Sequence, residues 1–331
     1  MKKLLSVVLA VAMLFTCCAC GGENGAKNDS KNESKTEKNE KFTIGICQLA
    51  PHPALDAATN GFKRAVTEKL GEENVEFVLK NAAGEANTCV TIANDFVSKN
   101  VDLIMANATA ALQAAANATT EIPILGTSIT EYGVALEIKD FNGTVGGNIS
   151  GTSDLAPLDK QAQMILDLVP TAKKVGILYC SAEPNSVYQA EVVKKYLEAK
   201  NISVEIYKFS DSNDVTTVAT AAAAASDAIY IPTDNKAAEC AQTINNAVLP
   251  TKTPIIAGEA GICSGCGIAT LSISYDELGY ATGLMAVKIL KGESKIEEMP
   301  IEYYENPKAQ YNEEICNELG IKVPDNYEKL S

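Results

Sequence analysis

Two sets of polar side chains stand just beyond the ends of short apolar runs. The first is Gln48, His52, Asn107, Thr109, Thr127 and Ser128. Its amides and hydroxyls, with the helix starts nearby, suit an anion such as a carboxylate. The second is Glu183, Asn185, Ser186, Thr233, Asp234, Asn235 and Glu259. Its carboxylates suit an ammonium. An α-amino acid presents both groups, so the two sets together read as a zwitterion site if the fold brings them face to face. Carboxylate capture is expected near Thr109 and Thr127-Ser128, and ammonium capture at Asp234 with help from Glu183 or Glu259. Plainer roles compete. Asn107, Thr109, Ser186 and Asp234 all occupy positions where a helix N-cap is expected. His52, held between Pro51 and Pro53, could set a loop's shape, and Glu259 could hydrogen-bond within a hinge.

Catalytic chemistry finds little support. There is no Walker-type phosphate loop, no GxGxxG and no GxSxG elbow. The single histidine has no evident nucleophile partner and cannot build a metal cluster alone. Beyond Cys20 the chain keeps Cys47, Cys89, Cys180, Cys240, Cys263, Cys266 and Cys316, an odd number that cannot all pair internally. Cys263-Ser-Gly-Cys266 is a CxxC, but it lies among glycines ahead of an expected strand and does not open a helix after one, so neither redox nor zinc chemistry is expected. The chain reads as no enzyme, with no cofactor and no metal.

The elements that must position these residues alternate. Thr43–Leu49 reads as a buried strand, Pro51-His52-Pro53 breaks it, and a helix follows with Leu55, Ala58, Phe62, Ala65, Val66 and Leu70 at helical spacing. Strand and helix then alternate to Ser128, the pattern of a parallel sheet covered on both faces. Asn142–Asp154 is rich in Gly, Asn and Ser and reads as a crossover, after which the alternation restarts and runs to Glu259. Lys236–Ala247 reads as one helix, Gly265–Ser274 as a return strand, Tyr275–Leu290 as a helix and Met299–Tyr304 as an edge strand. The fold class expected is α/β, with two Rossmann-like lobes of parallel strands joined by a hinge. The first lobe is 42–148 plus about 262–297, and the second 149–261 plus about 298–331. Hinge segments are expected at Val145–Ser153 and Gly258–Gly267. Ligands of such sheets bind beyond the carboxyl ends of the strands, and clefts between lobes favour small molecules.

Residues 1–19 carry Lys2 and Lys3, then an apolar run from Leu4 to Phe15 that is too short to span a bilayer, so they read as an export signal. Ala19-Cys20-Gly21-Gly22 has the form of a lipoprotein cleavage site with Cys20 acylated, although Cys17 stands where Leu is usual. The stretch 20–41 lacks the apolar surface to fold and reads as a tether. A net charge of −14 argues against nucleic acid, whose phosphates demand Lys and Arg. A lipid-anchored monomer on the outer face of a cell membrane is therefore expected.

The opening GICQLAPHPALDAATNGF resembles that of a family of bacterial ABC-transporter substrate-binding lipoproteins that includes tryptophan- and tyrosine-type binders. The segments DLIMANATAALQAAA, EIPILGTS, NISGTSD, VGILYCSAEPNS, DAIYIPTDN, PIIAGE and YDELGYATGLMAVKILKG extend the resemblance over Thr43 to Gly292. It implies a type I periplasmic-binding fold whose lobes close on an amino acid, aromatic ones among them, and present it to a membrane permease. Thr130-Glu131 departs from the family's more usual Asp-Pro. A sensory module feeding a chemoreceptor or kinase is the alternative use of the same fold.

Overall fold

The computed structural model describes residues 41–304 and 306–330. The expected export signal, Cys20 and the tether up to residue 40 lie outside the described residues. In chain order the first elements are β1 (Phe42–Gln48), α1 (Pro53–Leu70), β2 (Val75–Asn81), α2 (Ala86–Ser98), β3 (Leu103–Asn107), α3 (Thr109–Ala118), β4 (Ile124–Ile129), α4 (Tyr132–Ala135) and β5 (Ile149–Ser153). They are followed by α5 (Leu158–Leu168), β6 (Lys174–Cys180), α6 (Pro184–Ala199), β7 (Ser203–Phe209), α7 (Val215–Ala225), β8 (Ala228–Ile231), α8 (Asn235–Glu239) and α9 (Ala241–Val248). The last are β9 (Ile255–Ala257), α10 (Ala260–Cys266), β10 (Ala269–Ser272), α11 (Tyr275–Leu290), β11 (Glu302–Tyr303), β12 (Lys308–Tyr311), α12 (Glu313–Leu319) and β13 (Glu328–Lys329).

The strands form two sheets, ordered β11-β5-β4-β3-β1-β2 and β13-β12-β10-β9-β8-β6-β7. Pairing is parallel throughout except between β10 and β12. β3 and β4 are buried along their whole length, as expected of parallel strands covered on both faces. Pro53 stands at the first turn of α1, and Gly71, at φ 86°, ends it. Proline costs no helical bond there, and glycine takes the left-handed geometry without a Cβ clash.

Three expectations shift. First, β5 pairs with β4, so residues 149–153 stay in the first sheet and the crossover is 154–157. Second, α10 and β10 pack with the second sheet, so the return crossing is 273–274, not Gly258–Gly267. Third, β11 rejoins the first sheet beside β5, so 298–303 belong there. The expected strand over Gly265–Ser274 begins instead as a helix, because the Glu259 side chain accepts from the backbone N–H groups of Gly261 and Ile262. Cys263 and Cys266 lie inside that helix, both buried. Lys236–Ala247 divides into α8 and α9 at Cys240.

One contact ties the returning helix to the first lobe. A Cβ on Gly279 of α11 would sit 1.9 Å from the Ala58 carbonyl oxygen of α1, so the helices approach at backbone distance. The Arg64–Asp276 ion pair above it is half exposed and adds little. The close packing fixes the start of α11, where Tyr275 stands, relative to the start of α1, where His52 stands.

Candidate functional site

The carboxyl ends of both sheets face one small cavity of about 10 Å³, room for a single water-sized sphere. His52, Leu55, Ser128 and Thr130 line it from the first lobe, and Asn185, Thr233, Asp234, Asn235, Ala238 and Glu259 from the second. Asp154, which opens the crossing 154–157, and Tyr275, the first residue of α11, complete the wall. His52 Nε2 lies 3.3 Å from Asn235 Oδ1 across the cleft.

Local structure explains each position. The parallel register of β4 and β5 shifts between Gly126 and Ile129, and Ser128 takes φ 55°. Such a bulge re-aims a side chain, here onto the cavity wall. Asp154 follows the last paired residue of β5, and its backbone N–H donates to the Ile129 carbonyl. His52 precedes Pro53, so the first turn of α1 meets the cavity with the N–H groups of Ala54 and Leu55 lacking any in-helix acceptor, as at every helix start.

Buried polar atoms normally find partners. Seven buried side-chain polar atoms lack a hydrogen-bond partner among the described residues; four of them, His52 Nδ1, Ser128 Oγ, Asp154 Oδ1 and Asn185 Oδ1, belong to residues lining this cavity, and the others are Asn107 Oδ1, Ser226 Oγ and Thr270 Oγ1. Asp154 spends its other oxygen on the Tyr275 hydroxyl, 2.9 Å away. Burial pushes the Asp154 carboxyl up to about 6, against the pull of the Tyr275 and Thr130 hydroxyls, with Glu259 adding repulsion. Burial also raises Asp234, to about 8, helped by Glu183 and opposed by backbone N–H groups. Glu259 is raised by burial too, with His52 pulling the other way. The site thus concentrates carboxylates in a dry place, where a cation is the natural complement.

His52, Ser128, Asn185, Asp234, Asn235 and Glu259 were expected at a site and do line the cavity. Thr233, of the same expected set, lines it too, whereas Gln48, Asn107, Thr109, Thr127, Glu183 and Ser186 do not. Gln48 donates to the Ala50 carbonyl and to Asp56, and accepts from Thr59. Asn107 donates to the Leu55 carbonyl and to Thr59. Together these two brace the start of α1. Thr127 is hydrogen-bonded to Thr152, which meets Thr282, and Thr109 is buried at the start of α3. Glu183 accepts from the N–H groups of Asn235 and Lys236 at 3.0 and 2.8 Å, capping α8 from a distance, while Ser186 packs against the Thr233 carbonyl. Thr109 and Thr127, where carboxylate capture was expected, and Glu183, expected to help with the ammonium, thus stand off the cavity wall. Asp234, expected either to pair with the ammonium or to cap a helix, lines the cavity and caps α8. Its oxygens accept from the Ala237 and Cys180 N–H groups at 2.7 and 2.8 Å, which leaves Asp154 as the carboxylate with a free oxygen.

Asp154, Tyr275 and Thr130 carried no binding expectation. Asp154 had a legible signal, an acid directly after a strand end, but the strand itself was read as a crossover. No group of three or more His, Cys, Asp or Glu side chains placed to hold a metal occurs among the described residues, and no described helix is long and apolar enough to cross a membrane.

A family model described as ABC transporter substrate binding protein matches residues 43–331. The chain belongs to this family. It is 35% identical over 327 residues to a tyrosine-binding protein of Clostridioides difficile, covering 97% of this chain and 93% of that one. A Streptococcus pneumonia ABC domain solved in complex with L-Trp is 31% identical, with a TM-score of 0.84 over 88% of this chain and all of that one. A ligand-free, open substrate-binding protein with adhesive properties from Clostridium difficile is 35% identical, with a TM-score of 0.68 over 88% of this chain and 99% of that one. The two parallel-sheet lobes of this ABC-transporter substrate-binding protein form the type I periplasmic-binding fold.

Proposed function

We propose that this substrate-binding protein captures an amino acid, an aromatic one such as tyrosine or tryptophan, between closing lobes and delivers it to a membrane permease. The observation that carries the reading is the convergence of four unpartnered buried polar atoms on the cavity between the lobes. The ligand ammonium pairs with Asp154, in a wall that also carries Asp234 and Glu259. The ligand carboxylate takes the first-turn N–H groups of α1 and the Ser128 hydroxyl, since a helix start favours negative charge. Leu55, Ala238 and the ring of Tyr275 supply the apolar wall.

A cavity of about 10 Å³ cannot admit an amino acid unless the lobes part. Greater likeness to the tryptophan complex than to the open protein, despite lower identity to it, supports a closed arrangement here and an open one for entry. The crossings at 154–157 and 273–274 are the places to bend. Anchoring through acylated Cys20, on the outer face of the membrane and as a monomer, completes the proposal.

Calorimetric titration with L-tyrosine and L-tryptophan, paired with solution scattering, tests it. Binding with a fall in radius of gyration is expected, as is a rise in melting temperature, because ligand at a hundred times Kd adds about 2.7 kcal/mol. No heat and no thermal shift at millimolar ligand would reject the amino-acid reading. Binding at constant radius would reject the closing cleft.

A further inference from the structure

We propose that Tyr275 is a positioning residue for ligand capture: its hydroxyl pins one oxygen of Asp154, aims the other at the cavity, and so makes two inter-lobe crossings answer to one ligand contact. The proposal rests on the reading that Asp154 receives the ligand's ammonium. Asp154 opens the crossing 154–157, and Tyr275 follows the crossing 273–274 as the first residue of α11. Their 2.9 Å hydrogen bond is buried and joins segments 121 residues apart in the chain.

The Tyr275 ring is itself fixed. It packs with Ala54, Ala58, Ile273 and Leu278, and so against the helix whose first turn meets the cavity. A carboxylate with one oxygen held by a fixed donor has little freedom left, which is how supporting hydrogen bonds orient a binding group. The other groups acting on Asp154 are Glu259 at the start of α10 and the Thr130 hydroxyl between β4 and α4, and Tyr132 of α4 also feels its charge. None of these is a cation, so the Tyr275 hydroxyl helps hold the charge that awaits the ligand. Oδ1, the oxygen that Tyr275 does not hold, is buried without a partner on a residue that lines the cavity.

Tyr275→Phe keeps the ring and removes the donor. Its affinity for L-tyrosine or L-tryptophan should fall about tenfold, the size expected for one hydrogen bond to a charged group. The pH at which binding is half lost should rise by about one unit, while thermal melting of the ligand-free protein at pH 5, where the Asp154 carboxyl is mostly protonated with or without the Tyr275 hydroxyl, stays close to wild type. Carboxyl-carbon NMR of the ligand-free protein should show the Asp154 midpoint moving up by a similar amount. Wild-type affinity and an unmoved midpoint would overturn the proposal. So would weaker binding with an unmoved midpoint, which marks a purely structural tie. If wild-type protein bound neither amino acid, the functional reading would fall, and the NMR midpoint would still decide for or against Tyr275 as the group that positions Asp154.

Discussion

Asp154→Asn should reduce amino-acid affinity by roughly 2–5 kcal/mol, the usual cost of removing one side of a buried charge pair. That is a loss of about thirtyfold to several thousandfold in Kd. The Asn side chain keeps an oxygen to accept from Tyr275, so the crossing stays tied and the melting temperature should change little. Asp234→Ala should do the opposite. It strips acceptors from the Ala237 and Cys180 N–H groups, and should cost about 1–3 kcal/mol of folding stability with a smaller loss of affinity. Calorimetry and denaturant melts on both variants separate the roles. If Asp234→Ala lost binding while Asp154→Asn kept it, the assignment of the two carboxylates would be reversed.

The second large effect is on pH. Burial holds the Asp154 carboxyl up at about 6 and Asp234 at about 8, both above an ordinary 3.8. Between pH 4 and 8 these groups make the folded protein bind more protons than the unfolded chain, so ligand-free stability should fall as pH rises through that window. A ligand ammonium favours the charged form of Asp154 and expels its proton. Affinity should therefore rise with pH up to about 6, by nearly tenfold per unit where one proton leaves, and level off above. Calorimetry at pH 5 in buffers of different ionisation heat should detect about one proton released. The Asp154→Asn variant should lose that component, which separates it from any contribution of His52 or Glu259. A flat affinity from pH 5 to 8 with no proton release would contradict the paired-charge account.

Much of the fold was legible because its signals are local. The strand Phe42–Gln48, the break at Pro51-His52-Pro53 and the helix stopped by Gly71 all follow from apolar spacing and from what proline and glycine permit. The lobe boundaries were not legible, since they depend on which strand pairs with which. Residues 149–153 look like a linker by composition and become a strand only because β4 offers a ladder partner. The same misreading hid Asp154, because the rule that ligands gather beyond strand ends needs the strand to be seen first. Glu259 was read as a site residue or a hinge, and the structure shows it also capping α10. The sequence signal for that short helix was the acid itself, ahead of a run with buried Ile262, Cys263 and Cys266. Gln48, Asn107, Thr127 and Glu183 were expected to touch ligand because they end strands or start helices, but whether such a side chain turns to the cavity or braces a neighbour depends on packing across the sheet.

The central claim is that the cleft recognises an amino acid through its ammonium. The most direct test is calorimetric comparison of L-tyrosine and L-tryptophan with their des-amino analogues on the wild-type protein. The account predicts that removing the amino group weakens binding by at least about thirtyfold, consistent with about 2–5 kcal/mol for a buried charge pair, and that the Asp154→Asn variant hardly distinguishes the two compounds. Equal affinity of wild-type protein for the amino acid and its des-amino analogue would contradict it.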